Sequence, residues 1–250
     1  MSYKRHIVTD SIILNVGVSR EIDRSFTFIS KEVGVNRTVA FGACKYKSRY
    51  CSTIQPFVKL KLYLYKNPKT EYFELKDISE PESSEFIKND IRKIYIAAFF
   101  SEIIQKTYIN PEEYKKFFYL MQYSLELLHN GDALKNALLF FICKFLYLSG
   151  VNPALESCLK CQNSSPDYFY DFIRGGVFCS KCAANFNNRI SAESVKIFRD
   201  FLKLKYSELK NVTVDSRKFD EILRILVKIL SNLFDAKLST LDNIINLRDV

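Results

Sequence analysis

The stretch FVKLKLYLY, residues 57–65, alternates apolar and polar side chains along its length. Its aliphatic residues are Val58, Leu60, Leu62 and Leu64, and the residues between them are Lys59, Lys61, Tyr63 and Tyr65. Successive side chains of a β-strand point to opposite faces, so the pattern predicts a strand with one face packed in a core. The lysines and tyrosines are expected to face solvent or a ligand.

Further strands are predicted around this one, within residues 7–16, 25–30, 33–41 and 71–76. With residues 55–65 they make about five short strands separated by turn signals, which favours a small barrel of the OB type. Strand count alone does not separate an OB-fold from an SH3-like barrel.

Positive charge is concentrated on this predicted barrel. The chain has a net charge of +9, and residues 33–70 contain eight basic residues and no acidic residue. Aromatic residues such as Phe41 lie among them. Cations bind phosphates and exposed rings stack on unpaired bases, so the window predicts a surface for single-stranded nucleic acid. The alternative is a solvated basic face whose aromatic residues pack in the core. The candidate nucleic-acid-binding residues are Arg37, Lys45, Tyr46, Lys47, Arg49, Tyr50, Lys59, Lys61 and Tyr63.

After residue 80 the pattern changes to a helical period. The segment SEPESSE, residues 79–85, is expected to be a linker. Asn110 is a candidate N-cap for a helix with Pro111 at its first position. That helix is expected to end near His129, before the terminating pair Asn130-Gly131.

Further helices are predicted towards the C-terminus. One is expected to begin at Asp132 and to reach Gly150, and because it is apolar nearly all round it should be central to a helical core. Ser191 is expected to start another. Residues 217–235 place a set of apolar residues on one side: Phe219, Ile222, Leu223, Leu226, Ile229, Leu230, Leu233 and Phe234.

Four of the seven cysteines lie in CLKCQNSSPDYFYDFIRGGVFCSKC, residues 158–182. Their spacing, C-x2-C-x17-C-x2-C, is typical of zinc ribbons and knuckles. Cys158, Cys161, Cys179 and Cys182 are therefore predicted to bind one zinc ion. Four thiolates leave no open coordination position, so the site should be structural. Unrelated buried cysteines or a redox pair are the alternatives.

These features together predict an α+β protein: an N-terminal OB-fold barrel, then an all-helical domain with an inserted four-cysteine zinc module. The predicted boundaries are residues 1–80 for the barrel, 81–157 and 183–250 for the two parts of the helical domain, and 158–182 for the zinc module.

Several function classes are disfavoured. We expect no signal peptide, and the longest apolar run, residues 137–148, is too short to span a bilayer. A cytoplasmic protein that does not bind membranes is therefore expected. The two histidines, His6 and His129, are far apart in sequence, and no P-loop, GxSxG or HExxH motif is present, so we expect no enzymatic activity. An RNA-binding protein with an OB-fold and a zinc ribbon, and a metal-dependent nuclease, remain as alternatives.

Four motifs resemble the bacterial RecO family of recombination mediators. They are REIDRSFTFISKEVG (residues 20–34), FGACKYKSRYCSTIQPF (41–57), SGVNPALESCLKC (149–161) and GGVFCSKC (175–182). Their order and spacing fit the family across nearly the whole chain. Two positions depart from it, because Cys44 and Tyr46 stand where the family usually has an arginine and a proline.

The resemblance implies more than the residues themselves indicate. It implies binding to single- and double-stranded DNA, annealing of complementary strands, and a nucleoid-associated role in DNA repair. It also implies partnership with RecR and with the single-strand binding protein SSB, so that RecA is loaded on SSB-coated single-stranded DNA.

Overall fold

The computed structural model describes residues 5–82, 84–129, 134–183, 187–212, 214–234 and 238–246. They belong to two compact units, Met1–His129 and Asn130–Val250.

The first unit begins with five antiparallel strands. They are β1 (His6–Arg20), β2 (Asp23–Ser30), β3 (Gly34–Ala40), β4 (Lys59–Lys66) and β5 (Phe73–Ile78), with a short helix α1 (Arg49–Thr53) between β3 and β4. All five predicted strands are confirmed. The strand β1 runs four residues beyond its predicted end, because it forms a long hairpin with β2.

The five strands form one curled sheet in the order β3-β2-β1-β4-β5. The Thr38 hydroxyl on β3 donates a hydrogen bond of 2.7 Å to the Phe73 carbonyl on β5, which links the two edge strands. This is the OB-fold that the strand pattern predicted. Its interior is filled by aliphatic and aromatic side chains, including Phe26, Phe28 and Leu62.

Three helices complete the first unit: α2 (Glu85–Lys88), α3 (Ile91–Lys106) and α4 (Tyr114–Leu127). The predicted helix after Asn110 begins as a 3-10 turn, Pro111–Glu113, and continues as α4. Asn110 occupies the cap position, but its side chain makes no capping hydrogen bond. Residues 79–82 are not a free linker, because Ser79 and Glu82 bond through their amides to carbonyls of β4.

The helix α4 packs on the barrel through a close contact. Gly34 has a φ of +66°, and a Cβ at this position would lie 2.4 Å from the Tyr114 ring. Lys31 reinforces the contact, because its ammonium group lies about 5 Å from the ring centres of Phe118 and Tyr119 and 2.7 Å from the carboxylate of Asp10. The predicted signals Asn130-Gly131 and Asp132 lie outside the described residues.

The second unit is helical, with a small sheet inserted in its sequence. Its helices are α5 (Leu134–Leu148), α6 (Ala192–Lys203), α7 (Ser216–Leu233) and α8 (Leu241–Asn246), with a 3-10 helix at Tyr206–Asn211. Nine side chains of α5 are buried, which confirms its central position. Ser191 caps α6 as predicted, since its hydroxyl accepts from the Ser194 amide. Leu233 continues the predicted apolar repeat of α7, but at the end of the helix its side chain is exposed.

The inserted sheet contains β6 (Asp167–Asp171), β7 (Gly176–Cys179) and β8 (Arg189–Ser191), in the order β7-β6-β8. It lies in sequence between α5 and α6, as the motif predicted. The third strand extends the insertion beyond Cys182, because β8 pairs with β6 and leads directly into α6.

Candidate metal centre and nucleic-acid surface

The four predicted metal ligands form one cluster. The sulfur atoms of Cys158, Cys161, Cys179 and Cys182 all lie within 4.8 Å of one another, and those of Cys161 and Cys179 are 3.7 Å apart. A tetrahedral ion with metal–sulfur distances of about 2.3 Å places its ligands about 3.8 Å apart. The cluster therefore has the size of a four-thiolate metal site and could hold a metal ion.

Backbone pairing brings the first cysteine pair to the second. The segment before Cys158 runs beside β7, with Val177 donating to the Ala154 carbonyl at 3.1 Å and Leu159 donating to the Val177 carbonyl at 2.9 Å. Gly176 permits this approach, because a Cβ there would lie 2.8 Å from the Ala154 carbonyl oxygen and 2.7 Å from the Leu159 side chain. Any larger residue at position 176 would force the segment from Ala154 to Leu159 to shift.

Each pair is closed by a tight turn. The Gln162 amide donates to the Cys158 carbonyl at 2.8 Å, and Gln162 has a φ of +59°. The Cys182 amide donates to the Cys179 carbonyl at 3.0 Å. Cys158 and Cys179 are buried, whereas Cys161 is exposed. All seven cysteines of the chain are free thiols, so this geometry does not involve disulfides.

The electrostatics of the cluster suit a cation. Burial opposes ionisation of Cys158, but backbone hydrogen bonds from Cys161, Cys179 and Lys160 outweigh it and lower the pKa of its thiol to about 6. By contrast, the hydrogen bond with the Cys179 side chain, together with burial, raises the pKa of Cys182 to about 12. One thiolate is thus favoured by the protein itself. Ionising Cys182 at neutral pH requires a positive charge among the four sulfurs, which a bound metal supplies.

The barrel places the predicted nucleic-acid residues on separate surfaces. Lys45, Tyr46 and Lys47 lie in the loop between β3 and α1, hereafter the lysine loop (residues 41–48). Lys59, Lys61 and Tyr63 lie on the outer side of β4, hereafter the β4 face.

The predicted alternation of β4 is confirmed. Leu60, Leu62 and Leu64 are buried in the barrel, while Lys61 and Tyr63 are exposed on the opposite side. The period of two that was visible in the sequence therefore separates the core from the β4 face.

Acidic residues from other strands lie against the β4 face. Lys59 forms an ion pair with Glu82 at 3.0 Å. Lys61 lies directly opposite Asp10 on β1. A hydrogen bond from Lys31 lowers the pKa of Asp10, so its carboxylate stays ionised at neutral pH. These carboxylates are separated in sequence from residues 33–70, and the charge of that window gave no sign of them.

Arg49 and Tyr63 share another acidic neighbour. Asp77 on β5 is in register with Tyr63 and forms an ion pair with the Arg49 guanidinium. Tyr50 is half-buried and packs against the barrel core. These contacts give Arg49 and Tyr50 structural partners.

The lysine loop differs from the β4 face. Lys45, Tyr46 and Lys47 are all exposed, and neither lysine forms an ion pair with another described residue. The Lys47 ammonium lies 5.5 Å from the centre of the Tyr46 ring. Two cations with an aromatic ring between them can bind a phosphate and a neighbouring base.

Arg37 lies on β3, apart from both groups. Its guanidinium donates a hydrogen bond of 2.9 Å to the Ser25 hydroxyl of β2 and remains exposed.

Sequence reasoning missed Arg24, whose guanidinium donates to the carbonyls of Cys51 and Ile54 at 2.8 and 3.2 Å. Arg24 thereby fastens the segment around α1 to the barrel. Because Arg24 lies outside residues 33–70, the charge of that window did not point to it.

Among the helices that the structure describes, none combines the length and apolar character needed to cross a bilayer.

Comparisons with known proteins cover both units. The family model described as "Recombination protein O N terminal" matches residues 1–81, and the one described as "Recombination protein O C terminal" matches residues 88–242. The chain is 25% identical to the DNA repair protein RecO of Thermoanaerobacter sp., over 98% of this chain and 100% of the relative. It is 23% identical to the DNA repair protein RecO of Caldanaerobacter subterraneus, over 90% and 91% respectively. It is 27% identical to the DNA repair protein RecO of Pelotomaculum thermopropionicum, over 88% and 85%.

Proposed function

The chain belongs to the recombination protein O family, whose role is in DNA repair and recombination, and on that premise we propose that it is a DNA-binding recombination mediator. It binds single- and double-stranded DNA and anneals complementary strands. Together with RecR it helps RecA to load on single-stranded DNA coated with SSB.

The observation that supports this proposal best is the lysine loop. Lys45 and Lys47 are exposed on the OB-fold without an ion-pair partner among the described residues. Cations that are not neutralised by the protein gain most from releasing the counterions of DNA. Lysines that already hold a carboxylate, such as Lys59 with Glu82 at 3.0 Å, must give up that contact first.

Annealing requires binding but no bond cleavage. Two complementary strands repel each other through their phosphates, and a cationic surface that binds both lowers this repulsion. We therefore propose that the protein has no enzymatic activity and acts by binding complementary DNA strands. We propose that it does so in the cytoplasm, associated with the nucleoid. RecR and SSB are its proposed protein partners.

We further propose that the metal is a single zinc ion with a structural role. Cys158, Cys161, Cys179 and Cys182 would provide four thiolate ligands, the set that structural zinc prefers. When bound, the ion cross-links the segment before Cys161 to the end of β7. The insertion has a small core of its own, so such a cross-link would contribute much of its folding free energy.

A strand-annealing assay tests the proposal. Two complementary labelled oligonucleotides are coated with SSB, and duplex formation is followed with and without the protein. We expect the protein to accelerate annealing, with single-stranded DNA competing better than single-stranded RNA. The same labelled DNA incubated with divalent metal should stay intact.

Unaccelerated annealing together with undetectable DNA binding would contradict the mediator proposal. A preference for RNA in the competition would favour the RNA-binding alternative instead, and cleavage of the DNA would indicate a nuclease.

A further inference from the structure

The outer edge of β8, which does not face β6, is held by two charged side chains of α7. Arg189 and Ser191 present backbone groups on this edge. The Arg224 guanidinium donates a hydrogen bond of 2.6 Å to the Arg189 carbonyl, and the Ser191 amide donates to the Glu221 carboxylate at 3.0 Å. Side chains of α7 thus satisfy backbone groups that a further strand would otherwise pair.

One carboxylate oxygen of Glu221 is the centre of this attachment. Its Oε2 accepts three hydrogen bonds, from the Ser191 amide at 3.0 Å, the Ser191 hydroxyl at 2.8 Å and the Ser194 hydroxyl at 2.7 Å. Ser194 is buried, and Ser191 is the N-cap of α6. Burial opposes ionisation of Glu221, but these hydrogen bonds outweigh it and lower its pKa below the ordinary value. An ionised Glu221 therefore joins α7 to the end of β8 and to the first turn of α6.

The small sheet leads from this attachment to the metal ligands. Cys179, at the end of β7, is in register with Tyr168 on β6, and Tyr168 is in register with Ile190 on β8. Both Tyr168 and Ile190 are buried, and Ser191 directly follows Ile190. A single row of paired residues thus connects a metal ligand to the neighbour of the residue that Glu221 holds.

The cysteine cluster and Glu221 hold the same small sheet from opposite sides. The strand β8 has three residues, and β7 has four. The core around the cluster is also small, since its buried residues are Cys158, Phe178, Cys179 and Ala183. Such short strands depend on what fixes their ends. Two interactions that stabilise one cooperative element strengthen each other, and by linkage each raises the affinity of the other by the same factor.

We propose that Glu221 is a positioning residue of the metal centre, although it belongs to the helical body and is not a ligand. By holding β8 it raises the affinity of the four cysteines for the metal. In return, the first turn of α6 is ordered most strongly in the metal-bound protein. This inference rests on the proposed zinc site and adds to it a residue outside the ligand set.

The zinc affinity of the full chain tests the proposal, measured by competition with a chromophoric chelator. Glu221→Gln keeps the size of the side chain and removes its charge, so the three hydrogen bonds to an ionised oxygen are lost. We expect the dissociation constant for zinc to rise at least about fivefold, the lower end of coupling between linked sites.

The matched control is Glu193→Gln. Glu193 also joins α6 to α7, because its carboxylate lies 2.5 Å from the ammonium group of Lys218, but its side chain is 72% exposed and it follows the last residue of β8. Exposed ion pairs contribute little, so the dissociation constant for zinc should change less than about twofold.

Amide hydrogen exchange measures the reciprocal effect in the wild-type protein. Removal of zinc should raise the exchange rates of residues 189–196 at least about fivefold, while the strands of the barrel keep theirs. In Glu221→Gln the same amides should exchange faster even with zinc bound. Faster exchange of these amides together with an unchanged zinc affinity would show a role in packing alone and would overturn the proposal.

The outcomes separate this inference from the proposed metal site. Wild-type protein that binds no zinc would overturn both. Normal zinc binding by the wild type with equal dissociation constants for Glu221→Gln and Glu193→Gln would overturn the inference alone. If Glu221→Gln does not fold, the exchange measurement on the wild type decides, because equal protection of residues 189–196 with and without zinc would overturn the coupling.

Discussion

The lysine loop and the β4 face each carry two lysines separated by one residue, but the fold places carboxylates only beside the lysines of the β4 face. Lys45 and Lys47 flank an exposed tyrosine and form no ion pair with another described residue. Lys59 holds Glu82 and Lys61 lies opposite Asp10. Net charge within a window of sequence thus differs from charge on a surface, because antiparallel pairing brings carboxylates from distant segments.

The largest effect is expected from a change outside both surfaces. Cys179→Ser removes one of four metal ligands, and structural zinc sites are worth about 10–16 kcal/mol in small zinc-binding peptides. We expect the metal content, measured by elemental analysis, to fall from about one ion per chain to nearly none. Limited proteolysis should then cleave the region around residues 154–191, while the barrel stays protected.

The same variant tests whether DNA binding depends only on the barrel. DNA affinity should fall little, since the lysine loop and the β4 face both belong to the first unit. Cys44→Ser, at an exposed cysteine outside the cluster, is the matched control and should retain the metal. Wild-type protein purified without any metal would refute the metal site, and a loss of DNA affinity in Cys179→Ser would place the main DNA surface in the second unit.

The next largest effect separates the inner side of β4 from its outer side. Leu62 is fully buried in the barrel core, so Leu62→Ala should lower the free energy of unfolding by about 2–5 kcal/mol through the cavity it leaves. Its neighbour Lys61 is exposed, and Lys61→Ala should change stability by less than about 0.5 kcal/mol. Chemical denaturation measures both. Equal destabilisation by the two substitutions would contradict the assignment of the two sides.

The two sides of β4 and the four-cysteine cluster could be predicted from the sequence because each depends on a local pattern. The alternation in residues 57–65 determines which side of β4 is buried, because the period of a strand is set by its own backbone. The spacing of the four cysteines likewise predicted the cluster, since each CxxC turn is a local structure. Pairing between distant segments was not visible. The register of Asp10 with Lys61, and the approach of Ala154 to Gly176, depend on strands far apart in sequence.

The exposed apolar residue Val18 shows a second kind of limit. Val18 lies beyond the predicted end of the first strand at residue 16, and its exposure comes from how far the β1–β2 hairpin extends past the barrel. That length is set by the closure of the whole sheet. Similarly, Leu233 continues the apolar repeat of α7 but is exposed at the end of the helix, because the period of a helix gives the direction of a side chain and not what covers it.

An intermediate effect, on DNA affinity and its salt dependence, is expected when the lysine pairs of the lysine loop and the β4 face are replaced in turn. The double variant Lys45→Ala/Lys47→Ala should lower the affinity for single strands by roughly tenfold and reduce the slope of log K against log salt by about 1.4, or about 0.7 per phosphate contact. Lys59→Ala/Lys61→Ala removes the same charge at the same spacing. It should reduce the slope by less than about 0.7, because Lys59 already holds Glu82 and Lys61 lies opposite the carboxylate of Asp10.

Fluorescence anisotropy titrations at several salt concentrations give both slopes. Equal slopes for the two double variants would show that the carboxylates near β4 do not shield its lysines. A larger loss in Lys59→Ala/Lys61→Ala would reverse the comparison and make the β4 face the main DNA surface.

The smallest effect is expected from Tyr63→Ala, which tests the β4 face without changing its charge. Tyr63 is 40% exposed, against 92% for Tyr46, and lies in register between Val8 and Asp77. A base stacked on this ring would bring its phosphate towards the Asp77 carboxylate, while the nearby Arg49 is held in an ion pair with Asp77. We therefore expect Tyr63→Ala to weaken single-strand binding by less than about threefold, below the roughly fivefold minimum for a fully stacked ring. Stability should fall by no more than about 1 kcal/mol, the scale of one cross-strand pair.

If Tyr63→Ala weakened binding as much as Tyr46→Ala, the two surfaces would be equivalent stacking platforms. If it instead destabilised the fold as much as Leu62→Ala and left affinity intact, the ring would serve packing alone.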